Sequence, residues 1–175
     1  MKKFLLLIVP FLMLAAACDT SPKPVDYVFG DLAFTYPSDW NLEEDSKEED
    51  MVTLILLKED VGFLYMILQK WDEENFEDVG DEDIIDFIAS EAYDLFELDK
   101  DNEEMDIQEL DILKDGTEGD GFLVEYSGTN RGDTFVSRIL CKMVDTYEVL
   151  IRTEAAEKVR QPEIIDIMNS FRKVE

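Results

Sequence analysis

The sequence contains no histidine in its 175 residues. Without imidazole there is no Ser-His-Asp or Cys-His catalysis, no histidine acid or base near neutral pH, and no zinc site with histidine ligands. A hydrolase would instead need two carboxyl groups with separated pKa values across a cleft. With 43 acidic residues many pairs are possible, so no pair is indicated. We therefore predict that the chain is not an enzyme and uses no cofactor.

Cysteine is nearly absent as well, because the chain has only Cys18 and Cys141. Cys141 lies in an apolar run with Ile139, Leu140 and Met143, which is typical of a strand interior. We interpret Cys141 as a buried thiol with a structural role. No intramolecular disulfide is expected, because the surroundings of Cys18 indicate a different role for it.

No apolar run is long enough for a transmembrane helix. The run at 4–14, with three alanines after it, is shorter than the roughly 20 residues that span a bilayer. It follows Lys2 and Lys3 and ends at Cys18, which is the layout of a secretory signal peptide. The pattern resembles the bacterial lipobox, in which the cysteine is acylated, although Ala15 stands where leucine is favoured.

This leader predicts three segments. Residues 1–17 form a lipoprotein signal peptide, residues 18–26 are the acylated cysteine and a tether, and residues 27–175 form a single globular domain. Palmitate or a similar acyl chain on Cys18 would hold the protein in a lipid bilayer. The predicted location is the bacterial cell envelope, lipid-anchored at the cell membrane, with the domain outside the cytoplasm.

Basic residues are scarce beside acidic ones, 16 against 43, and the formal net charge is −27. Loss of Lys2 and Lys3 with the leader would bring the net charge to −29. A field of this sign repels nucleic acid, so we expect no nucleic acid partner. The same field attracts cations and basic partners, or it serves only to keep the domain in solution.

Past the leader, the hydrophobic pattern predicts a sheet with two helices. Short turns rich in glycine, asparagine and aspartate separate the strands, so neighbouring strands run antiparallel. The runs at 51–57 and 63–69 are nearly all apolar, which predicts strands covered on both faces. The acidic run 43–50 is interpreted as a solvated loop. The predicted strands are 27–29, 32–36, 51–57, 63–69, 107–113, 121–126, 135–144 and 147–153, and the predicted helices are 83–98 and one that begins near Pro162.

These elements predict an α+β domain in which helices cover an antiparallel β-sheet. Two motifs lie near its ends: residues 34–40, Phe-Thr-Tyr-Pro-Ser-Asp-Trp, and the pair Ser170-Phe171. The chain resembles the PsbP/Mog1-like family, in which a Tyr/Phe-Pro-x-x-Trp turn opens the domain and a Ser-Phe pair closes it. The resemblance spans 27–174 and implies an α/β/α sandwich and a non-catalytic binding or accessory role. It transfers no site residue, because members share a scaffold more than a site.

Three aromatic residues are candidates for contact with a ligand or partner: Tyr36, Trp40 and Trp71. The alternative for Tyr36 and Trp40 is a role in the core, because large aromatic side chains usually bury. Trp71 precedes the acidic run 72–74, a combination that suits a sugar site. The alternative for Trp71 is a polar loop after a strand.

Two functions stay open. The first is an accessory lipoprotein of unknown molecular role that acts through contacts with an unknown envelope protein. The alternative is an extracytoplasmic protein that binds cations or small ligands on its acidic surface. Residues 99–104 begin like an EF-hand calcium loop, but position six is Glu104 rather than glycine and position twelve is Leu110 rather than glutamate. No metal site is therefore predicted.

Replacing Cys18 with alanine should release the protein from the membrane, because the acyl chains are its predicted anchor. Cell fractionation should find the wild-type chain with the membranes and the C18A variant in the soluble fraction. Metabolic labelling with a palmitate analogue should mark the wild type alone. A variant that stays with the membranes and keeps the label would contradict the role assigned to Cys18.

Overall fold

A computed structural model describes residues 21–72, 80–117, 120–156 and 162–174. The predicted signal peptide, Cys18 and the first residues of the tether lie outside these ranges, as do Glu73 and Glu74. Among the described residues, no helix combines the length and the apolar character that crossing a membrane requires.

The described chain contains all the predicted strands and both predicted helices, most of them longer than predicted, and two further strands. The strands are β1 (Pro24–Phe29), β2 (Leu32–Pro37), β3 (Asn41–Lys47), β4 (Met51–Lys58), β5 (Gly62–Lys70), β6 (Met105–Asp115), β7 (Phe122–Asn130), β8 (Asp133–Val144), β9 (Tyr147–Ala156) and β10 (Arg172–Lys173). The helices are α1 (Asp81–Lys100) and α2 (Pro162–Asn169).

The strands form two sheets, and every pair in them is antiparallel. The large sheet has seven strands in the order β3-β4-β5-β9-β8-β7-β6, and the small sheet has the order β1-β2-β10. Asp60 and Asp145 have positive φ angles in the turns of two hairpins, a conformation that aspartate tolerates better than most residues. The prediction of an antiparallel α+β fold is confirmed.

One face of the large sheet carries the first hydrophobic core. Alternate residues of β9, namely Tyr147, Val149 and Ile151, point into this core together with the buried side chains of β4 and β5. The small sheet and α2 close it from above. Their contribution consists of Phe29, Leu32, Phe34, Ile164, Ile167, Met168 and Phe171.

The opposite face carries the second core, which α1 covers. Ile88, Ala92 and Phe96 recur at helical spacing and pack on alternate residues of β7 and β8. Cys141 lies in this core with no exposed surface, so the prediction of a buried thiol is confirmed. Burial also raises the pKa of this thiol. Because β8 and β9 feed both cores, they are the middle layer of the domain.

The layers differ in kind from the predicted α/β/α sandwich. A helix, α1, forms the layer on one face, but the layer on the other face combines a three-stranded sheet with the eight-residue helix α2. Strand β2 belongs to this outer layer because its buried face packs on the large sheet rather than pairing with it. The fold is therefore α+β with a dominant sheet.

The acidic run 43–50 is not a loop throughout. Residues 43–47 belong to β3, which pairs with β4 at one edge of the large sheet. Nearly all its side chains are exposed, and Glu43, Glu44 and Asp45 give the edge a negative charge. The sequence pattern hid this strand because it has almost no apolar residues. A charged edge of this kind disfavours pairing with another chain.

On the face opposite the first core, strands β4 and β5 are covered only in part, contrary to the prediction from their nearly continuous apolar sequence, and Ile67 is the β5 residue there that packs on the second core. Their residues in the first core are fully buried, but Leu57 is 50% exposed, and its cross-strand partner Phe63 is half-buried. The reason is the position of α1, which packs on β6 to β9 and does not extend over this part of the sheet.

The two ends of the domain meet between β2 and the segment after α2. The backbone N–H of Thr35 donates to Ser170 Oγ at 2.9 Å, and Ser170 Oγ donates to the carbonyl oxygen of Thr35 at 3.1 Å. One residue along on each side, Phe171 stacks on Phe34 with ring centroids 4.9 Å apart. These contacts bring together the two motifs of the PsbP/Mog1-like resemblance.

A mostly buried ion pair fixes the end of α1 to the sheet. Arg152 Nε donates to Asp99 Oδ2 at 2.6 Å, and the hydroxyl of Tyr126 donates to the same oxygen. The side chains of Arg152 and Asp99 are only 15% and 13% exposed. Arg152 also lies over the ring of Phe63, 5.5 Å from its centroid. Each charge here therefore depends on the other for its solvation.

The variant Arg152→Met should lose about 3 kcal/mol of unfolding free energy, because it leaves the Asp99 carboxylate buried without its cation. Urea unfolding monitored by circular dichroism would measure this loss. The double variant Arg152→Met with Asp99→Asn should recover part of it, since the amide oxygen still accepts from Tyr126. A double variant less stable than the single one would contradict this account of the pair.

Candidate functional site

A groove of about 820 Å³ opens at one end of the large sheet. The β4–β5 turn forms one bank, and the β7–β8 turn with Glu104 forms the other. The last residues of β9 lie between the banks, because β9 is the neighbour of both β5 and β8. The groove exists where α1 leaves the strands uncovered.

The floor of the groove is apolar. Leu57 and Phe63 form a cross-strand pair on it, while Phe135 at the β8 side is 3% exposed and belongs to the second core. Leu57 is among the more exposed large apolar residues of the described chain. An apolar floor open to solvent is a surface on which a partner gains free energy by burial.

Two tight turns shape the banks. In the β4–β5 turn, Asp60 has φ +64° and Gly62 has φ +146°, and a Cβ on Gly62 would stand 2.3 Å from the carbonyl oxygen of Glu154. In the β7–β8 turn, Arg131 and Gly132 both have positive φ. The short turn predicted between these two strands is thus present, and it places Asp133 on the groove.

The rim of the groove is acidic. Its carboxylates are those of Glu59, Asp60, Glu104, Asp133 and Glu154, against two cations. Both cations are already engaged. Lys58 Nζ lies 2.8 Å from Asp39 and 2.7 Å from Glu163, and Arg131 forms a bidentate pair with Glu104.

Three rim carboxylates stay available. Glu59, Asp60 and Asp133 take part in no ion pair with any residue in the described part of the chain. Two of them stand on the β4–β5 bank and one on the β7–β8 bank. The groove therefore presents negative charge from two sides above an apolar floor.

Trp40 and Tyr36, two of the predicted contact residues, belong to the first core. Trp40 is 4% exposed, and its indole Nε1 donates to Glu163 Oε2 at 3.0 Å. Tyr36 is half-buried beside Phe34. The core role weighed for both residues is thus what the structure shows. Neither lines the groove, although Lys58, which does, lies 5.9 Å from the centroid of the Trp40 ring.

Trp71, the third predicted contact residue, lies at the opposite end of β5 and on the α1 side of the sheet. Its ring meets Phe87 edge to face at 5.4 Å, and its Nε1 donates to Glu148 Oε2 at 3.2 Å. The structure therefore does not bring the three aromatic candidates together. The acidic run after Trp71, proposed as part of a sugar site, lies outside the described residues apart from Asp72.

Glu148 is buried, with 6% of its surface exposed, and its carboxyl group lies beside the thiol of Cys141. Burial raises its pKa, the hydrogen bond from Trp71 opposes this, and the charge of Glu91 raises the pKa further. The site is enclosed by core residues of α1 and the sheet. Its protonation is therefore linked to the stability of the fold.

In the described part of the chain, no three acidic, cysteine or histidine side chains are grouped so that they could hold a metal ion. The loop predicted to fail as a calcium site, 99–104, forms the end of α1 and the turn that follows it. Asp99 in this loop is directed to Arg152.

The groove residues were missed by the sequence reasoning. The sequence predicts Leu57 and Phe63 in strands covered on both faces, and Glu59 and Asp60 in the turn between them. Phe135 is a core residue in the structure as well. The sequence did hold one sign of an exposed apolar surface. Strands β4 and β5 contain more apolar residues than one buried face of a sheet requires. Only the placement of α1 shows which of those residues stay uncovered.

No protein-family model matches the sequence, and no curated protein matches it. Among solved structures, a Bacteroides thetaiotaomicron protein aligns with 13% identity and a TM-score of 0.50, covering 83% of this chain. This chain spans only 46% of that protein. Cyanobacterial PsbP (CyanoP) of Synechocystis aligns with 12% identity and a TM-score of 0.49. The alignment covers 94% of this chain and 99% of CyanoP. LpqN, involved in cell envelope biogenesis of Mycobacterium tuberculosis, aligns with 13% identity and a TM-score of 0.42. The alignment covers 87% of this chain and 91% of LpqN. At such identities the likeness concerns the fold alone.

Glu148→Gln should stabilise the protein at neutral pH and flatten part of its pH dependence. Because the folded-state pKa of Glu148 lies above the ordinary 4.5, the unfolding free energy falls as pH rises from about 4.5 through that raised pKa. Glutamine stays neutral and still accepts from Trp71. Thermal melting between pH 4 and pH 8 would measure the difference, on the order of a few degrees.

Glu163→Gln is the matched control for the Glu148 experiment. The hydrogen bond with Lys58 lowers the pKa of Glu163, so this carboxylate contributes stability above pH 4.5 that is lost as pH falls. Its replacement should destabilise the protein at neutral pH. If Glu148→Gln and Glu163→Gln change the melting temperature in the same direction at pH 7, the account of Glu148 is wrong.

Proposed function

We propose that this protein is a lipid-anchored, extracytoplasmic binding module of the PsbP/Mog1-like type, which acts through protein contacts rather than catalysis. The observation that carries the proposal is the groove, where apolar side chains such as Leu57 and Phe63 meet solvent beside an acidic rim. Apolar area of this kind is what a partner buries on binding. The partner we propose is another protein of the envelope.

The PsbP/Mog1-like assignment is supported by the physical role of its two motifs. Trp40 ends the opening turn, its backbone N–H donates to the carbonyl of Pro37 at 3.1 Å, and its ring is buried. Ser170 and Phe171 dock on the strand that precedes this turn. The motifs therefore form one junction, which a fold closed by its last helix requires.

The anchor is supported by the leader pattern at residues 1–18. Strand β1 begins at Pro24, six residues after Cys18. Six residues reach at most about 20 Å when fully extended. An acylated Cys18 would thus keep the domain close to the bilayer, where its partners would be membrane or envelope proteins.

Binding of a small ligand is the second candidate. The groove volume of about 820 Å³ falls within the range of small-molecule sites, and the rim favours a cationic molecule. Its openness to solvent favours a protein surface instead, because small-ligand sites usually enclose most of the ligand.

Crosslinking in living cells tests the proposal. A photo-crosslinking amino acid at position 57 should capture one dominant envelope protein, because this position lies on the groove floor. The same amino acid at position 98 is the control, since Leu98 is 69% exposed on α1 and does not line the groove. Mass spectrometry identifies the captured protein.

Further variants sharpen the crosslinking experiment. Leu57→Ser, with the crosslinker moved to position 63, should weaken binding by about 1 kcal/mol, roughly fivefold, through lost apolar burial. Leu98→Ser should leave the yield unchanged. Cys18→Ala should abolish the capture by removing the domain from the membrane. Equal capture from positions 57 and 98, or no protein captured from position 57, would overturn the proposal.

A further inference from the structure

We infer that the groove recognises a polypeptide segment in which an apolar side chain is flanked by two basic side chains. The inference rests on the proposed function and names the chemistry of the partner segment. It follows from three features of the groove: the state of its cations, the distance between its banks, and the exposure of its floor.

The first feature is that the groove has no free positive charge to repel a basic segment. Lys58 is held between Asp39 and Glu163, and its pKa is raised mainly by these hydrogen bonds. Arg131 is held by Glu104, with nitrogen–oxygen distances of 2.6–2.9 Å. A basic partner therefore meets carboxylates whose charge is uncompensated.

The second feature is the spacing of those carboxylates. Glu59 and Asp60 follow β4, beside β5, while Asp133 begins β8. Strand β9 separates β5 from β8, so the banks stand two strand spacings apart, about 10 Å. An extended chain advances about 3.3 Å per residue, so two lysines three positions apart span this distance. Their long, flexible stems accommodate differences in direction.

The third feature is the apolar floor. Leu57 and Phe63 form it next to the β4–β5 bank, where the apolar side chain of such a segment would rest. Leu57 is half exposed, so a partner side chain removes its remaining apolar surface from water. The charges on the banks would orient the segment, while the floor would provide the apolar contact.

The second copy of this chain is a poor occupant. With a net charge of −27, two copies repel each other, and the rim that would form the contact is itself acidic. The most acidic runs of the chain, such as 43–50, are negatively charged, whereas the acidic rim of the groove attracts positive charge. The occupant is therefore a basic segment of a different protein.

Peptide binding to the purified full-length protein in detergent tests the inference. The probe is acetyl-Gly-Lys-Leu-Ser-Lys-Gly-amide, titrated while backbone amide resonances are followed by NMR. Shifts should concentrate on the two banks and the floor, and the affinity should fall when salt is raised from about 0.05 M to about 0.5 M, because screening weakens exposed charge pairs. Peptides with glutamate in place of both lysines, or with serine in place of leucine, should bind more weakly.

Two double variants of equal charge separate a local site from a general field. Glu59→Gln with Asp133→Asn should raise the dissociation constant about threefold to tenfold, as expected for the loss of two exposed ion pairs. Glu82→Gln with Asp86→Asn removes the same charge from exposed positions at the start of α1, near the Trp71 end of the sheet, and should change it less than about twofold. Thermal melting confirms that both variants are folded.

The outcomes are distinguishable from those of the crosslinking experiment. Equal weakening by both double variants would show attraction by net charge alone and would overturn the inference, as would equal binding of the lysine and glutamate peptides. Absence of binding by the lysine peptide would also overturn it. In each of these cases a protein captured from position 57 would still support the proposed function, with a partner of different chemistry.

Discussion

The rest of this structure depends on the burial of both faces of two central strands, β8 and β9. Tyr147, Val149 and Ile151 enter one core, while Leu150 enters the other with Ile139 and Cys141 from β8. A sheet that is apolar on both faces must be covered twice, so the chain needs two outer layers. The helix α1 is one of them. The small sheet with α2 is the other, held in place by the contacts of Ser170 and Phe171 with β2.

The coverage is unequal, and the inequality creates the candidate site. The helix α1 packs on β6 to β9, and the Arg152–Asp99 pair fixes its end there. The apolar side chains of β4 and β5 on the same face, among them Leu57, stay partly exposed. Where these strands turn, acidic residues surround the open surface. The groove is thus a consequence of a helix that is narrower than the sheet it covers.

Sequence patterns predicted the elements well and the site poorly. Apolar alternation located the strands, and helical spacing located α1 and α2, because these patterns are local. These patterns missed β3 at the edge of the sheet, because its residues, among them Glu43, Glu44 and Asp45, are almost all polar. Aromatic residues suggested Tyr36, Trp40 and Trp71 as contacts. The structure places the first two in one core and the third against Glu148 at the other side of the sheet.

The sequence alone determined that imidazole chemistry is absent and that acidic residues far outnumber basic ones, and its patterns predicted the antiparallel α+β fold and a leader that ends at Cys18. These follow from which residues are present and from their spacing along the chain. Only the tertiary structure decided which apolar residues stay exposed. It also decided that Lys58 and Arg131 form ion pairs with carboxylates, whereas the carboxylate of Asp133 forms none with the described residues. Those properties depend on packing between segments distant in sequence, such as α1 against β8, which no local pattern records.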